Sequence, residues 1–136
     1  MATSRIRTVG VRLHNDDRRL FAGAIFPTEG DVNVIHLWTR KPIAWHRHQR
    51  QTDYVFCAQG AAVVCLVPPG SMVPRAHYLD EMSEPIALFP NCWHGYQDVA
   101  SHDVTTILVS YLSHKYDPTD EERAPLDAFP WPTTTA

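Results

Sequence analysis

Residues 45–60 read WHRHQRQTDYVFCAQG, and this stretch decides the fold because it packs two histidines, a carboxylate and two arginines into one short segment that ends in an expected strand. His46 and His48 are two residues apart, so on an extended chain their side chains leave the same face, a relation no helix produces. Asp53 follows five residues after His48, and Gly60 ends the stretch at a turn before the apolar run Ala61–Val67. Two imidazoles with a nearby carboxylate suit two chemistries, proton transfer near neutral pH and coordination of a divalent cation.

The rest of the chain reads as short strands around this segment. Residues 32–38 alternate, with Val34, His36 and Trp38 on one face and Ile35 and Leu37 on the other. Residues 53–58 and 61–67, separated by Gln59-Gly60, carry a hairpin signal. Residues 104–112, VTTILVSYL, are rich in β-branched side chains, and residues 20–26 and 86–89 add two brief strands. Ile6, Val9, Val11 and Leu13 alternate with arginines in the manner of an edge strand, and between residues 71 and 84 only a loop or short strand near 76–79 is expected. Helix chemistry is confined to the C-terminal part. Asp117 can cap, Pro118 fits a first helical position, and Asp120, Glu121 and Glu122 suit a positive helix start, giving one or two turns. With eleven prolines and almost no 3.6-residue periodicity, the prediction is a single all-β sandwich or barrel domain over residues 1–136.

Composition excludes several classes. A hydrophobic fraction of 44% and a charged fraction of 20% are those of a globular chain, not a disordered one. The longest apolar run falls far short of the ~20 residues of a membrane span, and the basic N-terminus has no apolar signal core, so no membrane association and a cytoplasmic location are expected. Cys57, Cys65 and Cys92 form neither an even set nor a metal-knuckle spacing and read as buried free thiols. Residues 1–50 hold nine Lys/Arg against four Asp/Glu, and residues 51–136 hold three against eleven. The basic first third suits an anionic ligand, but no dense Lys/Arg run interleaved with aromatics points to nucleic acid.

The H-x-H pair, Asp53 and Gly60 together resemble the first motif of the cupin superfamily, with Asp53 where that motif usually has Glu; Pro90-Asn91-Cys92-Trp93-His94 resembles the second motif without its usual glycine. The resemblance implies a small jelly-roll barrel with a short C-terminal helical turn, in which His46, His48, Asp53 and His94 converge at the barrel mouth. Within the cupins, FPNCWHGYQDV and VSYLSHKYDPTDEERAPLDAFPWP resemble the RmlC-like branch, the dTDP-4-dehydrorhamnose 3,5-epimerase-like proteins. The histidine pair and Gly60 also resemble the dTDP-4-keto-6-deoxyhexose 3,4-ketoisomerases. These matches cover residues 45–66 and 86–132, about half the chain.

Both groups move protons beside the ketone of an activated sugar, so the resemblance implies His48 as base, His46 as its companion, Asp53 as their carboxylate, and no required cofactor. The epimerase acid is a tyrosine on the strand 104–112, where the alignment brings Ser110 and leaves Tyr111 as the neighbouring candidate. Arg47 and Arg50 are candidates for the pyrophosphate of a dTDP-sugar, and Gln51, Trp38, Trp93 and His94 for the remaining substrate contacts. The alternative is a metal-dependent cupin, an oxygenase or Lewis-acid enzyme, holding a divalent Fe, Mn, Ni or Zn ion on His46, His48, Asp53 and His94. A third reading is a cupin that binds a small ligand without turning it over. The N-terminal edge strand and the resemblance both lead to the expectation of a homodimer.

Overall fold

A computed structural model describes residues 12–23 and 30–132. Eleven strands follow in order: β1 (Arg12–Asn15), β2 (Arg19–Gly23), β3 (Asp31–Leu37), β4 (Ile43–His48), β5 (Asp53–Gln59), β6 (Ala61–Val67), β7 (Arg75–Asp80), β8 (Ile86–Leu88), β9 (Trp93–Asp98), β10 (Ile107–Leu112) and β11 (Glu121–Arg123). They form two antiparallel sheets, one ordered β1-β2-β3-β10-β5-β8 and the other β11-β4-β9-β6-β7. The all-β jelly-roll expectation holds. Of the expected first two strands, residues 6–11 and 24–26 lie outside the described residues.

The core between the sheets follows the period-two pattern. Ile35 and Leu37 from β3, Val55 and Cys57 from β5, and Leu108 from β10 meet Ile43, Ala62, Val64 and Tyr96 from the facing sheet. Along β5 and β10 the alternate residues Tyr54, Phe56 and Tyr111 face outward and are exposed. β6 is apolar at nearly every position because both its faces are covered. Its outer residues Val63, Cys65 and Val67 form a second core with Trp45 and Phe129, packed against Trp93 and Trp131, as the chain after β11 crosses the outside of the sheet. All three cysteines are free and buried, and burial pushes the Cys65 thiol up to about 11.

One expectation needs correction. β5 and β6 do not form a hairpin: β5 pairs with β10 and β8, whereas β6 pairs with β9 and β7. Gly60, at φ +84°, turns the chain from one sheet into the other, a left-handed conformation that glycine adopts without strain. A short Gly-containing link cannot by itself distinguish a hairpin from a corner between layers. The helical turn expected near the C-terminus is a 3-10 turn, Pro118–Asp120, with Asp117 accepting from the Thr119 amide as its cap.

β4 and β9 pair out of step at Trp45. Ile43 pairs with Tyr96, Ala44 with Gly95, and His46 with His94, so Trp45 is the extra residue of a bulge. The indole therefore goes outward to the second core, donating to the Leu126 carbonyl at 3.1 Å, while His46 and His48 stay on the inner face. Gly95 faces Ala44 so closely that a Cβ there would collide with the Ala44 methyl and the Ile43 carbonyl. Trp45 is 1% exposed, and its replacement by alanine is expected to cost about 3–5 kcal/mol, measured as a lowered urea midpoint with an unchanged slope.

Candidate functional site

The inner faces of the two sheets leave a cavity of about 400 Å³, in the range of small-molecule sites, and its polar side chains come from both sheets. His46 and His48 enter from β4, His94 and Tyr96 from β9, Asp53 from the start of β5 with Gln51 just before it, Asn33 from β3, Ser110 from β10, and Glu121 and Arg123 from β11. His48, Asp53 and His94 form its tightest group, each offering a ligand atom within 4.8 Å of the others. Asp53 Oδ2 lies 3.8 Å from His48 Nε2 and 3.7 Å from His94 Nε2, while its Oδ1 accepts from Gln51 Nε2 at 2.6 Å. The His48 and His94 rings stack with centroids 5.6 Å apart.

His94 is the most enclosed of these groups. Burial, reinforced by His46 and His48 and opposed by Asp53, pulls its imidazole down to about 4, so it is neutral at neutral pH. Its Nδ1 lies 3.1 Å from the Cys92 carbonyl, which can only accept, so Nδ1 carries the hydrogen. The neutral ring then turns the Nε2 lone pair toward the Asp53 carboxylate. Two acceptors thus face each other across 3.7 Å, an arrangement that a bridging cation or proton donor would stabilise.

His46 has a different partner. Its Nδ1 lies 3.6 Å from Glu121 Oε1, and Arg123 reaches the same carboxylate at 3.0 Å. These neighbours, His46 first, hold the Glu121 carboxyl down to about 2 although its burial opposes this. Each histidine of the pair thus has a carboxylate beside it, Asp53, shared with His94, for His48 and Glu121 for His46. Glu121 escapes sequence reading because Glu-Glu-Arg carries no strand signal and its acids suit a helix start equally well; only the pairing of β11 with β4 aims it inward.

Several expected site residues sit elsewhere. Tyr111 is on the outer face of β10, 41% exposed and 6.4 Å from the Tyr54 ring, because alternation turns Ser110 inward instead. Arg47 also faces outward between the two histidines, paired with Glu122 at 2.7 Å and stacked over Trp93, whose ring packs on Phe129. Arg50 is held by Asp117 at 2.5 Å, and Trp38 is exposed, donating to Asn15 at 3.1 Å. None of these five lines the cavity; Arg18, Arg19 and Arg123 are the arginines that do.

The comparisons agree with this fold. A search of the solved structures aligns the chain with the capsular polysaccharide assembling protein CapF of Staphylococcus aureus at a TM-score of 0.76 and 16% identity, over 90% of this chain and 34% of that one. It also aligns with a dTDP sugar isomerase of Desulfovibrio desulfuricans at a TM-score of 0.66 and 18% identity, over 90% of this chain and 86% of that one. The chain has the cupin fold. Among curated proteins, this cupin is 32% identical over 93 residues to a protein of Haloferax volcanii named "Probable low-salt glycan biosynthesis epimerase Agl13". The match covers 62% of this chain and 58% of the relative. No family model matches the sequence.

The Glu121 pairing makes a prediction about acid stability. A carboxyl held below its ordinary value of 4.5 contributes stability above that pH and loses it as pH falls toward 2. Glu121→Gln is therefore expected to flatten the decline of unfolding free energy between those two pH values, measured by urea titration of chelator-treated protein.

Proposed function

We propose that this cupin is an isomerase or epimerase that moves a proton beside the carbonyl of a keto-sugar, with nucleotide-linked sugars as its substrate class. The observation that carries the reading is the pair His46 and His48, each with a carboxylate beside it, on one wall of one cavity. Kinship with a protein named as an epimerase and a fold shared with a dTDP sugar isomerase support it. Because the chain spans only 58% of the curated relative and 34% of CapF, the activities of those whole proteins enter here as part of the proposal alone.

In this reading His48 is the base. Histidine as a residue type accepts and returns protons near neutrality, and Asp53, anchored by Gln51, orients the ring and stabilises the imidazolium that forms. His46, tied to Glu121, is placed to relay or return a proton from a neighbouring position on the same strand. Neutral, buried His94 offers its Nε2 as an acceptor for a sugar hydroxyl, and Asn33 and Ser110 give the opposite wall its polar groups. The diphosphate would meet Arg18 and Arg123 at the cavity rather than the outward-facing Arg47 and Arg50.

A second reading rests on the facing acceptors of His94 and Asp53. With His48 they form a two-histidine, one-carboxylate set whose donors fit a divalent transition metal. Those three residues would hold the ion, and when bound it would supply Lewis-acid polarisation of a carbonyl. His46, paired with Glu121, is not part of that group of three.

Two measurements separate the readings. Incubated in deuterium oxide with dTDP-4-keto-6-deoxyglucose, the protein is expected to exchange deuterium into the sugar, and His48→Ala to slow this by about 10²–10⁴-fold. Exchange at an undiminished rate in the variant would remove His48 as base. Elemental analysis of protein purified without chelator is the other. Stoichiometric metal that disappears in His94→Ala, together with exchange lost on chelation, would shift the assignment to the metal-dependent reading.

A further inference from the structure

Proton abstraction by His48 leaves charge on the carbonyl oxygen, and a group must meet that charge. Tyr111 faces outward and Ser110 is a weak acid, so the strand β10 does not provide it. Tyr96 does line the cavity. It follows His94 by two residues on β9 and so shares its inward face, about 7 Å farther along the strand at ~3.3 Å per residue.

The Tyr96 hydroxyl has a specific partner. The Arg19 guanidinium of β2 donates to the Tyr96 oxygen, in a hydrogen bond that crosses from one sheet to the other. A guanidinium has only donors, so the phenol oxygen accepts and its own hydrogen is left for another acceptor. Among the described residues the structure gives that hydrogen none, and Arg19 Nε is likewise buried without a partner. Burial pushes the Tyr96 phenol above its ordinary value, and the Arg19 cation beside the oxygen opposes that rise.

We propose that Tyr96 is the acid of the reaction and Arg19 its positioning residue, an inference that rests on the proton-transfer reading above. As His48 takes the proton from the carbon next to the carbonyl, the C–H electron pair forms the enol double bond. The carbonyl π pair moves to oxygen, which takes the phenolic proton of Tyr96, leaving a phenolate beside Arg19. In the return step the phenolate takes a hydroxyl proton as a protonated histidine delivers its proton to carbon. Delivery to the opposite face of the same carbon inverts it. Delivery to the adjacent carbon of an enediol moves the carbonyl instead, with the phenolate taking the proton of the hydroxyl that becomes the new ketone. Neither outcome needs an oxidant or reductant.

The test uses the full chain and dTDP-4-keto-6-deoxyglucose in deuterium oxide. Tyr96→Phe removes one oxygen from the cavity and is expected to lower kcat for exchange by about 10²–10³-fold with KM changed less than threefold, while thermal unfolding confirms a folded protein. Arg19→Gln is expected to lower kcat in the same direction and Arg19→Lys to restore part of it, a rescue that keeps the test available if Tyr96→Phe fails to fold. Wild-type kcat in Tyr96→Phe, with exchange still abolished by His48→Ala, would overturn the role of Tyr96 and leave the proton-transfer reading standing. A loss in Tyr96→Phe confined to KM would overturn it as well. No exchange in the wild-type protein would overturn both.

Discussion

The buried carboxylate of Asp120 holds the site in register. It accepts backbone N–H groups from three successive residues, Gln49 at 3.0 Å, Arg50 at 3.1 Å and Gln51 at 3.3 Å. These residues form the connection between β4, which carries the histidine pair, and β5, which begins at Asp53. An ionised group at 7% exposure is costly unless its lone pairs are used, and three amide donors use them. The same contact ties the 3-10 turn to the loop and so brings β11 alongside β4. Glu121 and Gln51, the groups next to His46 and Asp53, both owe their positions to this one carboxylate.

β4 also separates recognition from support by face. Inward, it offers imidazoles to the cavity; outward, Trp45 is packed against Phe129 and Trp131, and Arg47 is paired with Glu122. The packed outer layer restrains the strand from behind, so the histidines sit on an element whose backbone is held on both sides rather than on a free loop. This is the arrangement expected of a site that must fix two titratable groups relative to a ligand.

The all-β architecture and the shared face of His46 and His48 were legible because alternation of two carries that information directly, whereas the convergence of Asp53 and His94 with them came from the resemblance to the cupin motifs. Gln51 was also identified, as a candidate for substrate rather than as the anchor of Asp53. The less legible parts have a common physical origin. Tyr96, Arg19, Glu121 and Asp120 act through partners more than sixty residues away in the chain, and no local pattern records such a pairing. The arginines between and after the histidines looked available for phosphate because their neighbours Glu122 and Asp117 arrive only when the C-terminal segment folds back. The apparent hairpin at Gly60 is a corner between layers, which local turn chemistry does not distinguish from a hairpin.

The bulge at Trp45 places two residues, Ala44 and Trp45, between the inward residues Ile43 and His46, where strict alternation would place one. Facing is a matter of parity where pairing is regular, and the bulge lets β4 carry one residue more than the β9 segment opposite it while His46 still pairs with His94. With these same residues in unbroken alternation from Ile43, Arg47 would enter the cavity and both imidazoles would face the aromatic layer. The chemical identity of the pocket, acid–base or cationic, thus depends on the one irregular step at Trp45 that resets the alternation of β4.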